Sequence, residues 1–190
     1  MRQARAGLGD AATAPVCVAT DGSVRGRFTG CGWLASSGEY NLLNSRHSRK
    51  LSGHEAVLVA ELRAISLAVR NLRGRDITLL IDSTSALEMV NRWAGGDDLM
   101  PRGYSIYRES GKTPGLVRAQ RMIYEERAKI TPLWVKGHSG HPLNSGANAL
   151  ARLASRYARD KSSLDLAEYR RIAQGIANSF AQEFRRTDAV

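Results

Sequence analysis

Residues 76–93 read DITLLIDSTSALEMVNRW and decide how the rest of the chain must fold. Residues 76–82 form a continuous apolar run, which is typical of a β-strand covered on both faces. Residues 83–93 open with Ser and Thr, which are favoured at helix N-caps, and predict a short helix. A strand of this kind belongs inside a sheet that has helices on both sides, so the stretch predicts an α/β fold.

The segments before this stretch predict a small antiparallel sheet followed by a helix. Ser-Gly separates the second and third strand-like runs, which indicates a hairpin, so the strands form a meander in the order 3-2-1. Apolar residues then recur at spacings of four and three, as in an amphipathic helix. The strands are predicted at 15–21, 30–37 and 39–47, and the helix at 54–73.

The segments after the stretch add a fifth strand and the remaining core helices. Residues 94–114 carry Gly, Pro and mixed charge and predict a long surface loop. A helix at 115–129, a strand at 130–136 and a helix at 144–160 follow. The order β-β-β-α-β-α-α-β-α closes into a mixed five-stranded sheet, an antiparallel 3-2-1 meander plus parallel strands, with helices on both faces.

The two ends of the chain lie outside this domain, which we place at 15–160. Residues 1–14 are rich in Ala, Gly and Arg without periodicity, and we predict a flexible N-terminal tail there. Residues 161–190 predict a C-terminal helical extension whose apolar stripe packs on its own domain, with a partner site as the alternative. The stripe consists of Ile172, Ile176 and Phe180.

The chain is strongly basic, with 28 Lys and Arg against 18 Asp and Glu and a net charge of +10. This excess favours a polyanionic partner such as nucleic acid, and a merely soluble, positively charged surface is the alternative. The sequence contains no run of eighteen apolar residues, so we expect no membrane-spanning helix. The first residues also lack the apolar core of a signal peptide. We therefore expect a cytoplasmic protein.

Three acidic residues stand where a sheet of this kind collects ligands. Asp21 closes the first strand and is followed by Gly-Ser, which predicts a tight turn, and Asp82 closes the buried strand. Both side chains could therefore point into one crevice beyond the strand ends. Glu61 lies on the flank of the buried stripe of its helix, near the sheet. Three carboxylates held together need a counter-charge, which hard divalent cations such as Mg²⁺ supply. Separate roles in turn caps or surface ion pairs are the alternative.

Four motifs together resemble type 1 ribonuclease H. They are TDGS at 20–23, AEL at 60–62, IDS at 81–83 and WVKGHSGHPLN at 134–144. Their order, their intervals and the element that each occupies match the family pattern over about residues 15–158. The last motif, joined to the three acids in order, carries most of the specificity.

The resemblance implies a ribonuclease H-like fold and cleavage of the RNA strand of RNA–DNA hybrids, leaving 5′-phosphate and 3′-hydroxyl ends. It also implies two Mg²⁺ ions per site, with Mn²⁺ as a substitute, and no small-molecule cofactor. His138 matches a mobile loop histidine associated with acid–base work or product release. We expect a monomer. By motif, the metal-binding and catalytic positions are Asp21, Glu61, Asp82 and Asn148.

The chain departs from the family pattern near the expected site. Asn148 stands where the pattern has an aspartate, and an amide contributes no negative charge. Three explanations stay open: a working enzyme that needs more metal, a relative that has lost catalysis, and a substitution introduced to trap a complex. Residues 56–59, AVLV, replace polar residues that touch the minor groove, and Arg27 falls about where an asparagine is expected. The basic protrusion of some bacterial members is not evident.

Two other functions stay open from the sequence. Asn148 and the missing polar residues favour a catalytically impaired or inactive nucleic-acid-binding module, whereas the three acids favour the enzyme. A different nuclease of the same fold, such as a resolvase or transposase-like protein, is the weaker alternative, because the loop WVKGHSGH argues against it.

Overall fold

The computed structural model describes residues 14–160 and 164–187, and the five-stranded sheet that the sequence predicts lies at its centre. The strands are β1 Val16–Arg25, β2 Phe28–Ala35, β3 Tyr40–Arg46, β4 Ile77–Ile81 and β5 Ile130–Trp134. They lie in the order β3-β2-β1-β4-β5. The first three pair antiparallel, and β4 pairs parallel with both β1 and β5.

Five α-helices of the described chain cover the two faces of the sheet. They are α1 Gly53–Asn71, α2 Thr84–Ala94, α3 Gly115–Glu126, α4 Pro142–Arg159 and α5 Leu166–Thr187. The first three bury their apolar residues with Val18 and Leu79 on one face. The last two bury theirs with Leu34 and Leu80 on the other face. The predicted mixed sheet with helices on both sides is confirmed.

β1 is longer than predicted, which is the main correction to the expected fold. Its parallel pairing with β4 ends at Ala19, but its antiparallel pairing with β2 continues to Arg25, so Asp21 lies inside the strand opposite Gly32. The turn expected after Asp21 lies instead around Gly26, which has a φ of 59°. Because Ala19 is level with Leu80, continuing the register places Asp21 level with Asp82.

A glycine in β2 lets α4 lie very close to the sheet. A Cβ built on Gly32 would lie 2.6 Å from the backbone nitrogen of Ala151 and 2.7 Å from the carbonyl oxygen of Ala147. These distances leave no room for a side chain, so position 32 requires glycine. Since Gly32 is the strand partner of Asp21, the close contact brings α4 to the part of β1 that carries this acid.

The C-terminal helix packs on the domain, and the predicted stripe takes part in this contact. Ile172, Ile176 and Phe180 are partly buried and pack against the apolar core of this face. Small side chains allow a shorter distance between helix axes than isoleucines would, which explains why alanines occupy the centre of the contact with α4. The fully buried residues of α5 are Tyr169, Ala173, Ala177 and Ala181.

Part of the predicted ends lies outside the described residues. Residues 1–13 of the predicted tail, and residues 161–163 and 188–190 of the predicted extension, fall there. Within the described residues, no helix has the length and apolar character needed to cross a membrane.

The segment 95–114 is a long irregular connection, as predicted, with neither helix nor strand. It is nevertheless held by hydrogen bonds to the flanking helices, of which two are examples. The Trp93 indole N–H donates to the carbonyl oxygen of Leu99 at 2.7 Å, and the Leu116 backbone N–H donates to the Tyr104 hydroxyl at 3.0 Å.

Candidate active site

The three predicted acids meet in one pocket. Asp21 lies in β1, Glu61 lies in the middle of α1, and Asp82 directly follows β4. One carboxylate oxygen from each residue lies within 4.8 Å of the other two. Asp21 and Glu61 are buried, and Asp82 is partly exposed. None of the ion pairs within the described residues involves these acids, so surface ion pairing does not explain them.

Gly22 explains how α1 brings Glu61 to Asp21. A Cβ at position 22 would overlap the backbone nitrogen of Glu61 and would lie 2.5 Å from the carbonyl carbon of Ala60. The Gly22 backbone N–H also donates a hydrogen bond to the Glu61 carboxylate. The glycine of the TDGS motif therefore serves a close strand–helix contact and not a turn.

Burial and mutual repulsion perturb the acids strongly. Burial raises the pKa of Asp21 to about 7 from an ordinary value of 3.8; the Asp82 charge adds to the effect and Arg152 opposes it. Burial also raises the pKa of Glu61 well above its ordinary value, and the charges of Asp21 and Asp82 act in the same direction. Near neutral pH the pocket therefore retains protons unless a cation takes their place.

Asn144 is a member of the site that the sequence interpretation missed. Its Nδ2 donates a hydrogen bond to Asp82 Oδ2 at 3.1 Å, and its Oδ1 is buried without a partner among the described protein groups. The side chain is only 4% exposed. The sequence did contain an indication, because Asn144 ends the histidine-loop motif and lies one helical turn before Asn148.

Asn148 lies between two residues of α4 that reach the acids. Asn144, one turn earlier, contacts Asp82, and the charge of Arg152, one turn later, acts on Asp21. The Asn148 side chain is partly exposed and lines a groove beside Arg152. Asn148 therefore lies on the same face of α4 as these two residues.

The loop between β5 and α4 places His138 beside the pocket. A Cβ on Gly137 would lie 3.2 Å from Asp82 Oδ2, so the loop backbone closes directly over this acid. The Ser139 hydroxyl donates to the carbonyl oxygen of Lys136 at 2.7 Å and tightens the turn. His138 is exposed and has a φ of 56°, the single positive φ of a non-glycine residue in the described chain. A positive φ is uncommon for residues other than glycine, although histidine adopts it more readily than most.

A family model described as RNase H matches residues 13–156. The chain belongs to the ribonuclease H family of enzymes. Proteins named Ribonuclease H are similar to it over most of their length. The protein of Chromohalobacter salexigens is 32% identical over 144 residues, which are 74% of this chain and 84% of that protein. The protein of Pelobacter propionicus is 30% identical over 165 residues, 80% and 91% of the two chains. The protein of Agrobacterium fabrum is 32% identical over 142 residues, 72% and 92%.

The ribonuclease H match covers the pocket but not the whole structure. All five predicted site residues fall inside it, whereas α5 falls outside it. Residues 56–59 of α1 stand where the ribonuclease H pattern has polar residues, and one of their apolar side chains is exposed to solvent. Val57 is 41% exposed, while Ala56, Leu58 and Val59 are buried.

Proposed function

We propose that this chain hydrolyses the RNA strand of RNA–DNA hybrids with the help of divalent metal ions, leaving 5′-phosphate and 3′-hydroxyl ends. The observation that carries the proposal is the cluster of Asp21, Glu61 and Asp82 in a member of the ribonuclease H family. A protein that only binds nucleic acid has no use for three gathered acids that repel phosphate.

The donor set suits Mg²⁺ or Mn²⁺. Carboxylate and amide oxygens are hard ligands of the kind that Mg²⁺ prefers. Burial and mutual repulsion raise the pKa values of Asp21 and Glu61, and a bound cation would offset both effects. We propose that the ions are held by Asp21, Glu61, Asp82 and Asn148. When bound, two such ions hold the scissile phosphate, activate a water molecule and stabilise the departing 3′ oxygen.

Protein groups around the acids keep them in position for this chemistry. The Gly22 N–H orients the Glu61 carboxylate, and the Asn144 amide orients Asp82. His138 stands on an exposed loop beside Asp82, from which an imidazole can give a proton to the leaving oxygen or help the product leave.

The explanation of Asn148 that we favour is a working enzyme that needs a higher concentration of metal. Three carboxylates and one amide attract a second cation less strongly than four carboxylates would, yet the amide oxygen still serves as a ligand or holds a water. Loss of catalysis and an introduced substitution are the competing explanations.

Cleavage of a hybrid labelled on its RNA strand tests the proposed function. We expect cuts with Mg²⁺ or Mn²⁺, none with EDTA, and 5′-phosphate ends on the products. DNA and RNA duplexes of the same sequence should remain intact. Asp82→Asn should lower the rate more than about a hundredfold because it removes a metal ligand. Asp98→Asn, on the exposed loop, is the charge-matched control and should keep the rate.

The second candidate function is a silent binding module, which Asn148 and the apolar stretch 56–59 favour. A protein that retains the hybrid in a gel but never cuts it with either metal would establish that function instead. The expected monomer, the cytoplasmic location and the domain limits at 14 and 160 stay predictions.

A further inference from the structure

The C-terminal half of α4 carries arginines that the proposed chemistry does not use. Arg152, Arg156 and Arg159, here called the arginine row, are all exposed. Asn148, Arg152 and Arg156 follow one another at spacings of four, which places them on one face of the helix. The row therefore begins beside the acidic pocket and leads away from it along α4.

α5 turns this face of α4 into a groove. The groove has a volume of about 370 Å³, with Arg152 and Arg156 on one side and Ile172 and Ile176 of α5 on the other. Because α5 lies outside the region that matches the ribonuclease H family, this chain adds the second wall to the matched domain.

Arg25 joins the arginine row from the sheet. It follows Asp21 and Ser23 at alternate positions of β1, so the three side chains share one face of the sheet. That face lies under α4, since the Ser23 hydroxyl is 3.0 Å from the Ser155 hydroxyl. The Arg25 Nε is shielded from solvent and has no hydrogen-bond partner among the described residues.

The arginine row places three positive charges near Arg25. No ion pair between residues of the described ranges joins any of them to a carboxylate. Burial lowers the pKa of Arg25, and so do the charges of Arg156, Arg152 and Arg159. Arg152 interacts electrostatically with Asp21, but that acid belongs to the proposed metal pocket. A bound anion would relieve the repulsion.

We infer that the arginine row and Arg25 bind successive phosphates of the nucleic-acid strand that enters the acidic pocket. At about 1.5 Å per residue the row spans roughly 10 Å, which covers about three base steps of 3.4 Å. The groove wall of Ile172 and Ile176 offers an apolar surface to sugars and bases. The identity of the strand rests on the proposed function.

A nucleic acid fits these residues better than an acidic protein segment does. The guanidinium fork matches phosphate geometry with two hydrogen bonds, and a regular series of phosphates matches a regular series of arginines. The row is also continuous with a pocket whose proposed substrate is a phosphodiester, because Arg152 borders both.

Salt-dependent binding of a fluorescent RNA–DNA hybrid in EDTA tests the inference without cleavage. Arg156→Gln/Arg159→Gln should make the slope of log affinity against log salt shallower by about 1.5 to 2, and should weaken binding about tenfold at 100 mM salt, because two phosphate contacts are lost. Arg118→Gln/Arg121→Gln removes the same charge from exposed positions of α3, on the opposite face of the sheet, and should change neither quantity.

Each outcome separates this inference from the proposed function. The inference fails and the function stands if the unaltered protein cuts the hybrid but Arg156→Gln/Arg159→Gln keeps the original salt slope. The same holds if the α3 control variant loses as much salt slope as the α4 variant. If the unaltered protein cuts nothing and only the α4 pair loses slope, the function fails and the phosphate-binding surface stands. Retained hybrid binding together with lost binding of a fluorescent polyglutamate peptide would overturn the choice of nucleic acid.

Discussion

At the scale of single residues, we propose that Asn148 sets how strongly the pocket attracts metal. Asn148→Asp adds a fourth negative charge, so the Mg²⁺ concentration for half-maximal cleavage should fall at least about tenfold, a difference of about 1.4 kcal/mol. Cleavage rates measured against Mg²⁺ and Mn²⁺ concentration check this. Asn91→Asp, exposed near the end of α2, makes the same change of charge and should leave the metal profile unchanged. Identical profiles for Asn148→Asp and the unaltered protein would contradict a metal role for this position.

Gly22 is the residue on which the contact between β1 and α1 depends. Gly22→Ala places a methyl group against the backbone of Glu61, so we expect a loss of about 3 kcal/mol in the free energy of unfolding together with loss of cleavage. Gly175→Ala is the matched control, because nothing lies within 4 Å of its Cβ position in α5. It should stabilise the protein by about 0.5–1 kcal/mol, since alanine suits a helix interior better than glycine. Urea unfolding of both variants gives the comparison, and equal stabilities would refute the close contact.

At the scale of elements, the loop between β5 and α4 carries the histidine. His138→Ala should lower kcat by about a hundredfold at saturating metal and leave hybrid affinity within about twofold, because the imidazole is proposed to move a proton and not to hold the substrate. Single-turnover rates and binding in EDTA separate the two effects. An unchanged rate would exclude His138 from the chemistry.

The limits of β1 illustrate what the sequence could and could not predict at this scale. Asp-Gly-Ser is typical of a turn, so the strand was expected to end at Asp21, yet β1 continues to Arg25. The strand continues because its pairing with β2 extends to Arg25, where Phe28 is the partner. Glycines in the two strands let α4 and α1 pack closely on the two faces of this paired region. Such a tertiary contact is not visible in the local pattern, although the order and type of the elements are.

The site shows the same division between local pattern and tertiary contact. The acids and the histidine loop were predictable because each belongs to a short motif that can be identified in the sequence. The role of Asn144 was not, because it depends on a hydrogen bond across 62 positions of the chain. The apolar stripe of α5 correctly predicts that the helix packs on the domain, whereas the alanines at the centre of the contact depend on close packing against α4, which the local pattern does not show.

At the scale of the whole molecule, the pocket links stability to pH. The folded state raises the pKa of Asp21 from 3.8 to about 7, so the metal-free protein binds this proton more tightly than the unfolded chain does. Stability from this group is fully present below pH of about 4 and is lost as pH rises through about 7, by up to roughly 4 kcal/mol at about 1.36 kcal/mol per pKa unit. Thermal unfolding in EDTA should therefore show a lower Tm at pH 8 than at pH 5.

Two comparisons assign that pH dependence to the pocket. Asp21→Asn should flatten it, because the amide does not titrate. Mg²⁺ should restore stability at pH 8, since a ligand of the folded state alone stabilises that state. A pH dependence that is the same in Asp21→Asn and in the unaltered protein would place its origin elsewhere.

The location of bound metal tests the central claim most directly. A crystal of the protein soaked in Mn²⁺ and measured for anomalous scattering should contain a peak about 2.1–2.2 Å from carboxylate oxygens of Asp21 and at least one of Glu61 and Asp82. A fully exchanged crystal in which this pocket holds no manganese, while exposed acids elsewhere do, would contradict the account.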